Sequence, residues 1–331
     1  MLISNDRRII GPVPPVTFSS QFVGRSLARF VARLRVRWMV QLMAVAAIVL
    51  LQACSAIKLA YNNAPELGFW WLDAYVDFND TQAPAVRTEL ARLLQWHRND
   101  ELPKIADLLQ KAQRLAAADM APGAVCAVFA DTRERFNAVT NQAEAAAVGL
   151  LLGMSPEQIT HIEGKFAKNN SEWRNEWLKL SPKDLLERRV KSNVDRAQEF
   201  YGTLEERQLA VLRGALETSS YDPQLSYAER LRRQQDLTQT LRQVTGAAAG
   251  SGSTVAARRT PAEGLVSLRG YLDRVTNSPN PAYRTYSERL TSESCASFAA
   301  LHNSTTVEQR TRAVRRLAAY ERDARELYGQ R

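Results

Sequence analysis

Gly153-Met154-Ser155-Pro156-Glu157-Gln158 reads as the start of a helix. Serine can cap a helix, proline suits the first helical position, and a glutamine three residues after the cap closes a capping box. Behind it Ile159, Ile162, Phe166, Trp173, Trp177 and Leu180 recur every three or four residues over much of the stretch, the period of one helix face. Trp173 and Trp177, four apart, are expected in a core rather than on a ligand platform. The same signals recur downstream. Ser181-Pro182-Lys183-Asp184 starts a helix carrying Leu185, Leu186, Arg189, Val190, Val194, Ala197, Phe200 and Tyr201, which Gly202-Thr203 ends. Glu205 to Leu216 and Ser226 to Val244 follow, divided by the turn Tyr221-Asp222-Pro223. Further helices are predicted near 261–276, 281–302 and 306–328. Upstream, Asn79 or Asp80 can cap a helix running through Val86, Leu90, Leu93, Leu94 and Trp96. Pro103 predicts a fresh start, followed by helices over 104–118 and 124–151.

Glycine is sparse, while Ala, Leu, Arg, Glu and Gln dominate. That composition favours helix, and no alternating β-branched run is long enough to make a strand. The expected fold is all-α, a multi-helix bundle of antiparallel helices. Thr245 to Ser253, rich in Gly, Ala and Ser, predicts a flexible loop near 245–260. The segment from Ile57 to Phe78 is dense in aromatics, with Asp73, Asp77 and Asp80 on another stripe. It suits either a membrane-interface helix or an amphipathic helix packed into the body. The acidic stripe favours packing. His97 and Glu101 are four apart, yet no further ligand is nearby. Trp96 is expected in the core and His97 against a carboxylate, with no metal.

The amino-terminal end has a different character. Arg25, Arg29, Arg33, Arg35 and Arg37 form a basic segment, and an apolar run follows from Trp38 to Leu51, interrupted by Gln41. This order is that of a secretory signal, and the run is shorter than the roughly 20 residues of a membrane span. Leu51-Gln52-Ala53-Cys54 resembles the bacterial lipobox. The resemblance implies cleavage between Ala53 and Cys54, with lipid attachment, including palmitate, at Cys54. By the same resemblance Ser55, rather than Asp, implies the periplasmic face of the outer membrane. Residues 1–53 are thus expected to be a signal peptide, and 54–331 a single periplasmic helical domain. Gly11-Pro12-Val13-Pro14-Pro15 is foreign to such a signal. Either translation starts further downstream than Met1 or the chain has a long cytoplasmic n-region.

That division changes the meaning of the charge. Of the chain's net +9, residues 1–53 hold +6, from seven arginines and Asp6, leaving +3 on the other 278 residues. A nucleic-acid partner, which needs a clustered basic footprint, is not expected. Cys126 and Cys295 remain as an even pair in an oxidising compartment and predict a disulfide. No catalytic set stands out: His97, His161 and His302 are far apart in sequence, with no phosphate-cradling glycine loop and no His-Glu-x-x-His. An enzyme, a metal and a cofactor are therefore not expected. The expected partners are the membrane, through the lipid, and another envelope component.

Two wider resemblances bear on function. Gln82-Val86-Leu90, Gln158-Ile162-Phe166 and Gln208-Leu212-Leu216 echo one another at irregular spacing. Ser155-Pro156-Glu157-Gln158 is similar to the Leu-Thr-x-x-Gln motif of the periplasmic Spy/CpxP-type chaperones, with Met154 for Leu and Ser155 for Thr. That similarity implies a client-binding module as the alternative. Tyr61-Asn62-Asn63-Ala64-Pro65, Trp71-Leu72-Asp73-Ala74-Tyr75, Trp96 through Pro103, Phe200-Tyr201-Gly202 and Leu301 through Thr306 resemble a proteobacterial lipoprotein family classed as a domain of unknown function. This implies the anchor and the helical body, and no activity.

Overall fold

The computed structural model describes residues 57–246 and 259–330. The lipobox, with Ala53 and Cys54, and most of the loop expected near 245–260 lie outside the described residues. Among them the fold is all-α, with eleven helices. They are α1 (Ala64–Val76), α2 (Gln82–Trp96), α3 (Leu102–Ala116), α4 (Pro122–Leu152), α5 (Pro156–Trp173), α6 (Pro182–Tyr201), α7 (Glu206–Glu217), α8 (Pro223–Thr245), α9 (Pro261–Thr276), α10 (Pro281–Asn303) and α11 (Val307–Gly329).

Six of these helices begin on proline, where its missing N–H leaves no intrahelical bond unmade. Side-chain caps precede five of them: Ser155 accepts from the Gln158 N–H, Ser181 from Asp184, Asp222 from Gln224 and Leu225, Thr260 from Glu263, and Asn280 from Ala282 and Tyr283. Pro103 behaves differently from the sequence expectation. The chain does not break there; α2 continues into α3 through a π-helical turn, His97–Glu101. The Leu102 N–H reaches back five residues to His97 O. The widened turn makes room for a ring that would clash with the fourth carbonyl back in a regular helix.

Glutamine side chains pin two pairs of helix starts. Gln82 and Gln158 face each other, as do Gln208 and Gln309. Each uses its Oε1 to accept from the N–H three residues earlier, at Asn79, Ser155, Glu205 and Thr306 respectively (2.9–3.2 Å). Each Nε2 donates to the partner's Oε1 and to a backbone carbonyl five residues before the partner. Those carbonyls are Gly153 O for Gln82, Asp77 O for Gln158, Ser304 O for Gln208 and Thr203 O for Gln309. Three of the four glutamines are those of the sequence echo. The fourth, Gln309 in Thr306-Val307-Glu308-Gln309, completes the second pair.

Among the described residues, buried side chains gather in four clusters. Val76, Met154, Ile159, Ile162 and Leu241 form one, packed further by Tyr75, Phe78, Leu151, Phe166 and Leu237. Leu102, Ala106, Ala324 and Leu327 form another, where α11 lies along α3. Alanines at the contact let these helices approach closely. The remaining two, Ala116–Met120–Val125–Cys295–Ala299 and Tyr201–Leu204–Leu212–Leu301–Ala313, flank the cavity described below. Cys126 of α4 and Cys295 of α10 form a disulfide, with Cα atoms 5.4 Å apart.

The aromatic helix packs on one face, while the expectation for His97 is corrected. The helix at 64–76 buries Phe69 and Val76, while Trp70 and Trp71 are 61% and 63% exposed. Adjacent residues on a helix lie about 100° apart, so the Phe69 face cannot also bury both tryptophans. His97 does not meet a carboxylate. Its Nδ1 pairs with the Tyr61 hydroxyl at 2.9 Å, while the fully buried Glu101 binds Lys104 and Arg135. Trp96 is half-buried.

Candidate ligand cavity

A cavity of about 650 Å³ opens among α3, α4, α6, α7, α10 and α11. The fold positions its walls from several directions. Helix α3 contributes Ala112, Leu115 and Ala116, α4 Val125, Val128 and Phe129, α7 Leu212, Ala215 and Leu216, and α10 Leu290, Phe298 and Leu301. The disulfide sits between lining neighbours on both of its helices, so it clamps α4 to α10 at the wall. The loop after α3 is pinned to the end of α10. Asn303 and Met120 exchange hydrogen bonds at 2.8 and 3.0 Å, and His302 Nε2 meets Ala118 O at 2.9 Å.

Helix α6 supplies the polar side. Arg189, Asn193, Arg196, Ala197 and Phe200 line the cavity, and their spacing places them along one helical face. Arg189 is half-buried; its Nη1 donates to Leu216 O at 3.0 Å, and its guanidinium lies 4.6 Å from the Tyr221 ring centre. Burial lowers its pKa, against the pull of Tyr221, Tyr286 and Glu293; a guanidinium still stays charged at neutral pH. Glu293 accepts the Ser220 N–H at 2.8 Å. Burial pushes its pKa up, but the hydrogen bonds from Ser220 and Ser219 prevail and hold it below the usual carboxylate range. Arg196 is exposed and, among the described residues, makes no hydrogen bond or ion pair.

Tyr201 closes one side. It is buried, its hydroxyl lies 2.9 Å from His302 Nδ1, and burial pushes its pKa up to about 12. With Nε2–H donating to Ala118 O, the neutral ring can accept the Tyr201 O–H at Nδ1. Burial lowers the His302 pKa in the same sense, outweighing the Ala118 bond. Beyond Tyr221 an aromatic ladder continues outward: Tyr221 meets Trp177 edge-on at 6.3 Å, Trp177 stacks on Trp173 at 6.2 Å, and Trp173 on Tyr227 at 5.2 Å. These tryptophans are half-buried rather than central.

The residues singled out from sequence fall into three groups. Cys126 and Cys295 are brought together at the cavity wall. Ala53 and Cys54 lie outside the described residues. The histidines are held apart: His97 with Tyr61, His302 with Tyr201, and His161 at 3.3 Å from Ala74 O. Among the described residues no group of three or more His, Cys, Asp or Glu side chains is placed to hold a metal ion. No helix among them is long and apolar enough to cross a membrane. The cavity itself was not visible from sequence. Its one signal was in α6, where Arg189, Asn193 and Arg196 interrupt the stripe that also carries Ala197 and Phe200.

No curated protein and no solved structure matches the chain. The sequence model of one family does match, over residues 74–248. That span takes in the α6 and α7 walls of the cavity and ends before α10 and α11, which complete it. The chain belongs to this family, DUF6279, a family of unknown function.

Proposed function

We propose that this protein is a lipid-anchored lipoprotein of the bacterial envelope whose helical body is a periplasmic binding domain. The observation that carries the anchor is Leu51-Gln52-Ala53-Cys54 at the end of a short apolar run behind a basic segment. The Cys126–Cys295 disulfide supports export, because such bonds persist in oxidising compartments. Two acyl chains already anchor a protein stably, so a fully acylated Cys54 holds the body at the outer membrane. Binding, rather than a purely structural body, is favoured by the preformed, mostly apolar cavity with a few polar groups, chiefly on α6 and α10. The reading assigns no catalytic step, cofactor or nucleic-acid partner; the partner is an envelope component. Metabolic labelling with radioactive palmitate tests the anchor. Wild type should incorporate label and Cys54→Ala should not; a labelled Cys54→Ala protein sinks the reading.

A second reading, a chaperone-like module that holds unfolded clients, is favoured by one observation: Trp70 and Trp71 stand exposed on α1. Large exposed aromatics can serve as contact platforms. If the body works this way, it delays aggregation of a denatured test protein, and Trp70→Ala with Trp71→Ala removes the delay. A wild-type protein that gives no delay excludes it.

A further inference from the structure

We propose that the cavity takes a single-chain amphiphile with an anionic head, such as a fatty acid or a lysophospholipid. Its chain lies in the apolar chamber and its head meets Arg196. The inference rests on the binding-domain reading above and names the class of ligand.

Three observations converge. First, the interior is faced by side chains such as Leu115, Val128, Phe129, Leu212, Leu290 and Phe298, which offer nothing to a ligand polar throughout. A polar group buried there without a partner is strongly disfavoured, whereas an alkyl chain has none to bury. Second, most polar groups on the lining are already engaged. Tyr201 is bonded to His302, Glu293 to the Ser220 N–H, Arg189 to Leu216 O, Asn193 Nδ2 to Arg189 O, and Ser294 to Leu290 O. Third, the lining holds two guanidiniums against one carboxylate, and the guanidinium of Arg196 has no partner among the described residues. An exposed, unpaired cation on the rim of an apolar chamber matches a ligand whose single charge is negative and terminal. Guanidinium fits carboxylate and phosphate alike through paired N–H donors.

The test uses the full, lipidated protein in nanodiscs with three photoactivatable probes of equal chain length. These are a fatty acid, a lysophosphatidic acid and the corresponding alcohol, each with the reactive group near the chain end. Crosslinked peptides are mapped by mass spectrometry. Crosslinks should fall on α7 and α10, around Leu212 and Phe298, and be displaced by unlabelled fatty acid. Affinity for displacing fatty acids should rise about threefold to fourfold for each added CH₂. Arg196→Gln, which breaks no hydrogen bond or ion pair among the described residues, should weaken the anionic probes about tenfold and leave the alcohol unchanged. Ala215→Phe, which fills the chamber, should abolish all three, and a retained thermal transition shows that this variant is folded. Preference for the carboxylate or the phosphate probe tells the two sources apart. Crosslinks confined to other surfaces, or labelling indifferent to both substitutions, overturn the proposal. Failure here with palmitate still on Cys54 removes the ligand class and leaves the anchor. Loss of palmitate labelling with cavity crosslinks intact removes the anchor alone.

Discussion

The Gln82–Gln158 pair and the Gln208–Gln309 pair are the same device in two settings. Both join two helix starts through reciprocal amide bonds, and both reach a carbonyl five residues before the partner. Around the first, Val76, Met154, Ile159, Ile162 and Leu241 pack into a filled core. Around the second, Tyr201, Leu212, Leu301 and Ala313 of the buried cluster line one side of a chamber. The same closure therefore supports a solid end and a hollow one, and what keeps the hollow one open must lie elsewhere. The disulfide is at the hollow end. It clamps α4 to α10 within the packed cluster that borders the chamber, and it closes a chain separation of 169 residues.

That contrast predicts where stability is held. Replacing both cysteines by serine should cost the most, on the order of 4 kcal/mol, through the freedom returned to the unfolded chain. Urea unfolding under oxidising conditions measures it, and equal midpoints for wild type and variant would remove the clamp from the account. Truncation should separate the two ends next. Ile159→Ala, in the filled core, should cost about 4 kcal/mol, since it opens a new void. Leu212→Ala, beside a chamber where its atoms already lack some neighbours, should cost about 2 kcal/mol. Equal losses would mean that the chamber collapses in solution. The glutamines give a smaller, sharper comparison. Gln208 is fully buried and Gln82 only half-buried. Gln208→Ala should therefore cost about 2 kcal/mol and Gln82→Ala about 1 kcal/mol, because an orphaned amide partner is penalised more where water cannot reach it. A double-mutant cycle within each pair should show coupling at both ends.

How much of this was legible in sequence differs between helices and contacts. Capping boxes and proline starts are local, so Ser155-Pro156-Glu157-Gln158 and Ser181-Pro182-Lys183-Asp184 set their helices correctly. Pro103 misled because its local rule supposes regular helical geometry, and the π-turn at His97–Glu101 absorbs the ring. Trp70 and Trp71 stand exposed, because helical spacing names a face without saying whether anything covers it. The disulfide followed from an even cysteine count in a chain expected to be exported. The chamber was out of reach, because a void is a property of six helices at once and no single stripe encodes its absence of atoms. Gln309 was within reach: Thr306-Val307-Glu308-Gln309 fits the Thr-x-x-Gln pattern more closely than the copies that drew attention. The family-like segments also found a physical meaning. Tyr61 and His97 come from two of them and meet, and so do Tyr201 and His302. These residues read as packing partners across the fold rather than as reactive groups.

Those two tyrosine–histidine pairs carry the smallest prediction, and it concerns pH. Burial lowers the pKa of both His97 and His302, with Glu101 opposing at the first and the Ala118 carbonyl at the second. A histidine whose folded pKa lies below its unfolded value, about 6.5, favours the fold when neutral. Its contribution is fully present above that value and is lost as pH falls from there through the folded pKa. The groups facing His302 are Tyr201, the Ala118 carbonyl, Arg310 and Asp119. Tyr201 stays protonated throughout, because its pKa is about 12, so the imidazole is the main titrating group over the mildly acid range. Urea midpoints should hold steady from pH 8 to about 7 and decline on acidification below the ordinary histidine pKa. His302→Gln keeps a donor and an acceptor near the places of the ring nitrogens but cannot charge. It should lower the midpoint at neutral pH while flattening the acid decline, whereas His97→Gln, at a half-buried ring, should flatten it less. A decline that survives both substitutions unchanged would move the acid sensitivity to carboxylate pairs such as Asp236 with Arg232 and Arg274. Their loss belongs at lower pH, because hydrogen bonds from Arg274 hold the Asp236 carboxyl below its usual range.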